Sequence, residues 1–318
     1  MWNLDQKKLN AVYSSRGMKR RYEVWFLRCG LADGSGAWWF RYLVMNLGRA
    51  GRGDTPAVMP AQLWATWFPH EGEPRSFIQG FPIEKLELST RRTLPFHCRI
   101  ADNGIEEGIC WGKLRLDGHE ISWRLRWTSD FGVTLSDKGW IGFSRSPHSD
   151  AAFAGEITLD GRKFGGEPLG FGVQGHNCGY RHRSFWRWMH AYFPQPNGKA
   201  STVEALVYDL PFGMTFRNAV VWHQGKQMVL RKIAEGETVR EANRLKWSFA
   251  GVLGGTPVTV TVESSAPGIH RLPYMKTDES GTFPVANASA ARATMRIGDK
   301  RVETSSGAVV EFGGGAKE

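Results

Sequence analysis

The chain has no run of about 18 apolar residues, the length a membrane-crossing helix needs. It has no C-x-x-C pair. Its 4 cysteines, Cys29, Cys98, Cys110 and Cys178, are spread unevenly, which excludes a dense disulfide framework. The opening MWNLDQKKLNAVYSS lacks the apolar core of a secretory leader, so a cytoplasmic protein with reduced thiols is the expectation. A G-x-S-x-G elbow, a P-loop and a dinucleotide fingerprint opening a helix are all missing, which removes the common hydrolase and nucleotide-binding readings. Helical apolar spacing is scarce throughout.

Turns and aromatic strands fill the space. The 318 residues include 38 glycines and 14 tryptophans. In EISWRLRWTSD, Ile121, Trp123, Leu125 and Trp127 fall on one face, and Ser122, Arg124 and Arg126 on the other. Two-residue turns at Asp117-Gly118, Asp160-Gly161 and Gln224-Gly225 separate strand-like runs, and Gly298-Asp299 does the same near the end. The fold class is therefore all-β, and closed antiparallel barrels are the natural way to remove so many strand edges. The Gly/Ser/Pro-rich stretch from about 136 to 171 reads as a loop or crossover. It suggests a division into 1–165 and 166–318.

Net charge is +10. The basic residues are dispersed, with a single short cluster at Met18-Lys19-Arg20-Arg21. A dispersed excess reads as a solvated surface, so nucleic acid is not an expected partner, and peripheral contact of the basic surface with an anionic membrane stays open, ranked last.

The stretch GVQGHNCGYRHRSFWRWMHAYF, residues 172–193, carries the densest chemistry. Alternation puts Trp186, Trp188, His190 and Tyr192 on one face. Facing a barrel interior, that row would be an aromatic wall with one titratable group. The strand AWWFRYLVMN gives Trp38, Phe40 and Tyr42 against Trp39, Arg41 and Leu43, both faces more apolar than a solvated sheet needs. The two aromatic strands, each with a central arginine, look like counterparts in two halves. His176 and Cys178 fit no established zinc spacing, and a same-strand Cys/His pair supplies no separately held base, so no metal and no other cofactor is expected.

In this order and spacing, YEVWFLRCGLADGSGAWWFRYLV, then GEITLDGRKFGGEPLGFGVQGHNCG with WRWMHAYF, then ATMRIGDKRVETSSGAVVEFGG resemble the tocopherol cyclase and carotenoid hydratase superfamily of lipocalin-like, AttH-type proteins. The resemblance implies two lipocalin-like (calycin) antiparallel β-barrel domains with an apolar cavity near their junction. It also implies acid catalysis on an isoprenoid- or polyene-like substrate. Aligned on the Asn-x-Gly turn, the hydratases carry an acidic residue where this chain has Gly175, and usually tryptophan where it has Cys178. A proton donor would then be His176, His190 or Glu204, the last in STVEALVYDL and equally able to pair with Arg41 or Arg187. Arg41, Tyr42, Asn177, Trp186 and Trp188 would bind the ligand. Two readings stand: a cyclase, hydratase or isomerase, and a non-catalytic carrier of a lipid-like small molecule on the same scaffold. The oligomeric state has no sequence signal.

Overall fold

The computed structural model describes residues 6–15, 18, 20–48, 59–195 and 200–314. A first sheet has twelve strands: β1 (Tyr22–Leu31), β2 (Gly36–Met45), β3 (Ala61–Pro69), β4 (Arg75–Phe81), β5 (Leu86–Leu88), β6 (His97–Ile100), β7 (Asn103–Glu106), β8 (Ile109–Leu116), β9 (His119–Thr128), β10 (Val133–Asp137), β11 (Gly142–Leu159) and β12 (Arg162–Gly179). A second has ten: β13 (Phe185–Phe193), β14 (Ser201–Asp209), β15 (Thr215–His223), β16 (Lys226–Val229), β17 (Arg231–Arg240), β18 (Arg244–Leu253), β19 (Thr256–Ser265), β20 (His270–Met275), β21 (Thr282–Ile297) and β22 (Lys300–Gly314). All the pairings are antiparallel.

Each sheet rolls up. Its two path ends are consecutive strands, β4 and β5 in one and β16 and β17 in the other. A 3-10 turn at Ile83–Lys85 joins the first pair, and Leu230, buried in the second core, joins the other. Opening and closing strands also meet, β1 with β12 and β13 with β22. In both units a short strand, β10 or β20, leaves the path to pair with the penultimate strand. The all-β, lipocalin-like expectation is met twice over. The expected hairpins form as read, with positive φ at Asp117 and Gly118 (50° and 78°) and at Asp160 and Gly161 (50° and 83°).

The stretch 136–171 is not a loop. It supplies most of β11 and β12, the longest strands of the first sheet. Glycine there answers crowding rather than turning: a Cβ on Gly170 would lie 2.2 Å from the Gly30 carbonyl of the neighbouring strand. The chain passes from one sheet to the other at Tyr180–Ser184, later than the 165/166 division. The suggested counterparts are also reassigned. By position in its sheet, β2 corresponds to β14, and β13 to β1.

The doubly apolar strands explain the architecture. Trp25, Leu27, Trp38, Phe40 and Tyr42 fill the first barrel, and Met189, Ala191, Phe193, Val203 and Val207 fill the second. The alternate residues, including Phe26, Trp39, Trp64, Trp186, Trp188 and Tyr208, form a third cluster between the barrels. The row Trp186, Trp188, His190, Tyr192 thus lies outside its own barrel, facing the other unit, and not in a barrel interior as the alternation alone suggested.

One buried arginine ties the units together. Register shifts in the β21–β22 pair release carbonyls from the ladder around 289–290 and 305–307. Arg28 of β1 reaches across, donating from Nε to Ser289 O (2.9 Å), from Nη1 to Gly307 O (3.1 Å) and from Nη2 to Ala308 O (3.2 Å), with Ser306 O as a further acceptor. Burial pulls its pKa down to about 10, so the guanidinium keeps its charge at neutral pH. In the Met18–Arg21 cluster, Arg21 is buried against Cys178 Sγ and the Trp140 carbonyl, Arg20 is exposed, and Lys19 lies outside the described residues. Arg28→Leu should lower the unfolding free energy by at least about 3 kcal/mol in urea titration, because several buried carbonyls lose charged donors at once. A loss under about 1 kcal/mol would show that the bulges are satisfied without it.

Candidate functional site

A cavity of about 730 Å³ opens where the two barrels meet, lined from β1, β2, β10 to β14, β20 and β22 and by the turns that follow β10 and β12. Its wall is largely aromatic: Tyr22, Phe26, Trp39, Trp186, Trp188, Tyr208 and Tyr274. Phe26 stacks on Trp39 with ring centroids 5.2 Å apart, and Trp188 meets both rings edge-on. Strand alternation puts these rings here, since they occupy the faces that the barrel cores leave over.

Polar groups are few and differently placed. Arg41 is buried among rings, its guanidinium carbon 4.0 Å from the Tyr274 centroid and 4.5 Å from that of Trp64. It forms no ion pair among the described residues, and its Nη1 has no hydrogen-bond partner. Glu311 of β22 accepts from Trp186 Nε1 (3.0 Å), the Tyr274 hydroxyl (2.8 Å) and Asn287 Nδ2 (3.1 Å). Burial drives the Tyr274 phenol well above its ordinary pKa, partly opposed by the Arg41 charge. His182 stacks on Tyr22 at 4.1 Å; burial first, and then Arg41, push its pKa down to about 3, so the ring is neutral. The Trp39 indole N–H and the Asn177 side-chain oxygen on this wall also lack partners.

The residues picked from the sequence divide into three groups. Arg41, Asn177, Trp186 and Trp188 line the cavity. Tyr42 does not: it lies inside the first barrel, donating to the Trp111 carbonyl (2.9 Å) and accepting from Trp123 Nε1 (2.9 Å), because a residue next to Arg41 must face the opposite side of the strand. His176 is on the first-barrel side too, stacked on Trp25, with Nδ1 2.7 Å from the Leu9 carbonyl and Nε2 2.8 Å from Glu23. Glu23 also accepts the backbone N–H groups of Tyr13 and Ser14, so this pair pins the N-terminal segment.

His190 and Glu204 share a second polar knot in the seam, off the cavity wall. His190 Nε2 donates to the Ser149 carbonyl (2.7 Å), and burial lowers its pKa to about 3. Glu204 accepts from Ser146 (2.6 Å), Ser149 (2.9 Å) and Trp188 Nε1 (2.9 Å), so Trp188 stands between its carboxyl and the cavity. It pairs with neither arginine offered to it: Arg187 is held by Glu235 at 2.7 Å. Without a cation, burial raises the Glu204 pKa.

At Gly175, the position where the hydratases carry an acid, a Cβ would lie 2.1 Å from the Phe26 ring, which covers the site. Sequence reasoning missed Glu311, Tyr274, Tyr22 and His182. Glu311 had a signal, as the lone acid on the buried face of an apolar run, AVVEF. The four cysteines are unpaired and buried. Among the described residues, no three His, Cys, Asp or Glu side chains gather as a metal would need, and no helix is long and apolar enough to cross a membrane.

The pH dependence of stability should carry the signature of Glu204. A carboxyl whose folded pKa lies above its unfolded value favours folding below the unfolded pKa, and loses that contribution as pH rises through the folded one. Glu204→Gln keeps the hydrogen bonds without titrating. Its stability relative to wild type should therefore increase from pH 4 to pH 8 in urea melts. A constant difference across that range would contradict the assignment.

No protein-family model matches the sequence, and no curated protein matches it. Solved structures do. Kievitone hydratase from Nectria haematococca aligns over 96% of this chain and 93% of its own, with TM-score 0.57 and 12% identity. A putative AttH from Nitrosomonas europaea aligns over 95% of this chain and 94% of its own, with TM-score 0.58 and 11% identity. The chain thus has, over nearly its whole length, the two-unit, lipocalin-like fold that these two structures share.

Proposed function

We propose that the protein is an enzyme of hydratase, cyclase or isomerase type, acting by acid catalysis on a hydrophobic isoprenoid- or polyene-like molecule in the seam cavity. The carrying observation is the Tyr274–Glu311 couple, a phenol hydrogen-bonded to a carboxylate, set in an aromatic cavity beside a guanidinium that no carboxylate pairs among the described residues. Glu311, taking up a proton from solvent at the start of the cycle, gives it to an alkene carbon and is left as the carboxylate that Trp186, Tyr274 and Asn287 hydrogen-bond. The rings of Trp39, Trp186 and Trp188 face the cationic carbon that results, each favourable contact worth about 0.5 to 2 kcal/mol. Water attack forms a C–O bond, and the proton that water sheds returns to Glu311; the balance is addition of one water. An internal hydroxyl or loss of a neighbouring proton gives the cyclised or isomerised product instead. The fold likeness to kievitone hydratase supports the hydratase branch. The partnerless Arg41 Nη1, Trp39 N–H and Asn177 oxygen suit a substrate with a polar head on an apolar body.

A carrier is the second reading, favoured by the saturation of Glu311 with three donors and by the covering of Gly175. One experiment decides between them. The protein is incubated with a panel of polyenes and prenylated phenols, and the products are read by mass spectrometry. Turnover that falls by roughly a hundredfold or more in Glu311→Gln and Tyr274→Phe, with ligand retained, is expected. Wild-type retention without any conversion would make the protein a carrier.

A further inference from the structure

Large apolar side chains on a protein surface are usually single and scattered, yet here the two most exposed ones stand at the same end of the molecule. Phe212 is 97% exposed and Trp140 is 70% exposed, with Ile141 beside it at 42%. Trp140 and Ile141 sit in the turn between β10 and β11, and Phe212 in the turn between β14 and β15. Contacts behind the turns hold them together: Ser136 hydrogen-bonds Tyr208 (2.8 Å), Asn218 donates to the Leu135 carbonyl (2.8 Å), and Lys138 lies 5.4 Å from the Phe216 centroid. The Tyr180 amide donates to the Ile141 carbonyl (3.0 Å), bringing in the segment between β12 and β13.

Two details separate this end from ordinary surface. Phe212 has φ 61° and ψ 31°, a left-handed conformation that costs a bulky residue energy, and it spends that energy presenting its ring to solvent. The cavity mouth lies among these turns, since Trp140 and Ile141 are also lining residues.

The charge of the rim is the second, independent observation. Lys138, Arg181 and Arg183 line the mouth, and none of them forms an ion pair among the described residues. The acids nearby are engaged: Asp137 with Arg145, and Asp209 with Ser184 and the Phe185 amide. Exposed rings flanked by unpaired cations match an anionic lipid surface, with rings at headgroup level and cations against the phosphates.

We infer that the cavity-mouth turns are a membrane-docking surface for anionic lipid, which sets the opening of the seam cavity against the source of a water-insoluble ligand. The inference does not need the cavity to be catalytic. It is tested by sedimenting the full chain with vesicles of phosphatidylcholine alone or mixed with phosphatidylglycerol. Wild type should pellet with the mixed vesicles and be released by salt. Lys138→Glu with Arg181→Glu should weaken binding by roughly tenfold or more, and Trp140→Ser with Phe212→Ser similarly. These side chains are solvent-facing, so both doubles should melt like wild type. Glu311→Gln should bind vesicles normally, which keeps a failure of the catalytic reading distinct from a failure here. Equal sedimentation of both doubles and wild type would overturn the inference. So would a patch-dependent dimer in sedimentation velocity without vesicles, which would assign the face to a second copy.

Discussion

Arg28 is the interaction on which the rest depends. A β-bulge leaves carbonyl oxygens with no strand to accept from, and burying them is costly unless a donor arrives. The second unit buries two bulged stretches against the first, and a single planar guanidinium from β1 answers them. Lysine could not serve as well, because a point charge on a flexible stem lacks the fork of donors. The relative position of two barrels is thereby fixed by hydrogen bonds of definite direction, where ring packing alone would let them slide. The Glu204 knot, with donors from Ser146 and Ser149 of the other unit, adds a second fixed point.

A cavity follows from this arrangement. Two convex barrel walls covered in large rings cannot interdigitate everywhere, and where they diverge the rings line a space rather than fill it. Most buried polar groups of the seam are satisfied. Of those that are not, the ones on Arg41, Trp39 and Asn177 stand on the cavity wall, and His190 Nδ1 lies off it. The polar economy of the seam is thus relaxed at the place where a ligand would supply partners.

Much of the fold was legible because period-2 alternation and Asp-Gly turns are local signals. Trp123 and Arg124 could be assigned to opposite faces from order alone, and the structure agrees. Where reasoning failed, the missing information was three-dimensional. Residues 136–171 read as a loop because glycine and serine are turn formers in sequence, whereas the smallness of Gly155 and Gly170 lets the backbones of β9 and β1 lie close against β11 and β12. Tyr42 was placed beside Arg41 in the cavity, although adjacent strand residues cannot share a face. The burial of both faces of β2 and β13 was visible, but only the pairing of two barrels says which face meets which. Glu311 and Tyr274 come together from strands far apart in sequence, and no local pattern links them.

The central claim is that the space between the barrels holds an amphiphile. Its most direct test is ligand retention: wild type and a Val24→Trp variant, which fills the cavity from its wall, are equilibrated with a mixture of prenylated phenols and polyenes, washed, and extracted for mass spectrometry. The account predicts a stoichiometric amphiphile from wild type and its loss from the filled variant, with both proteins folded. Equal retention by the two, or none by wild type, would contradict it.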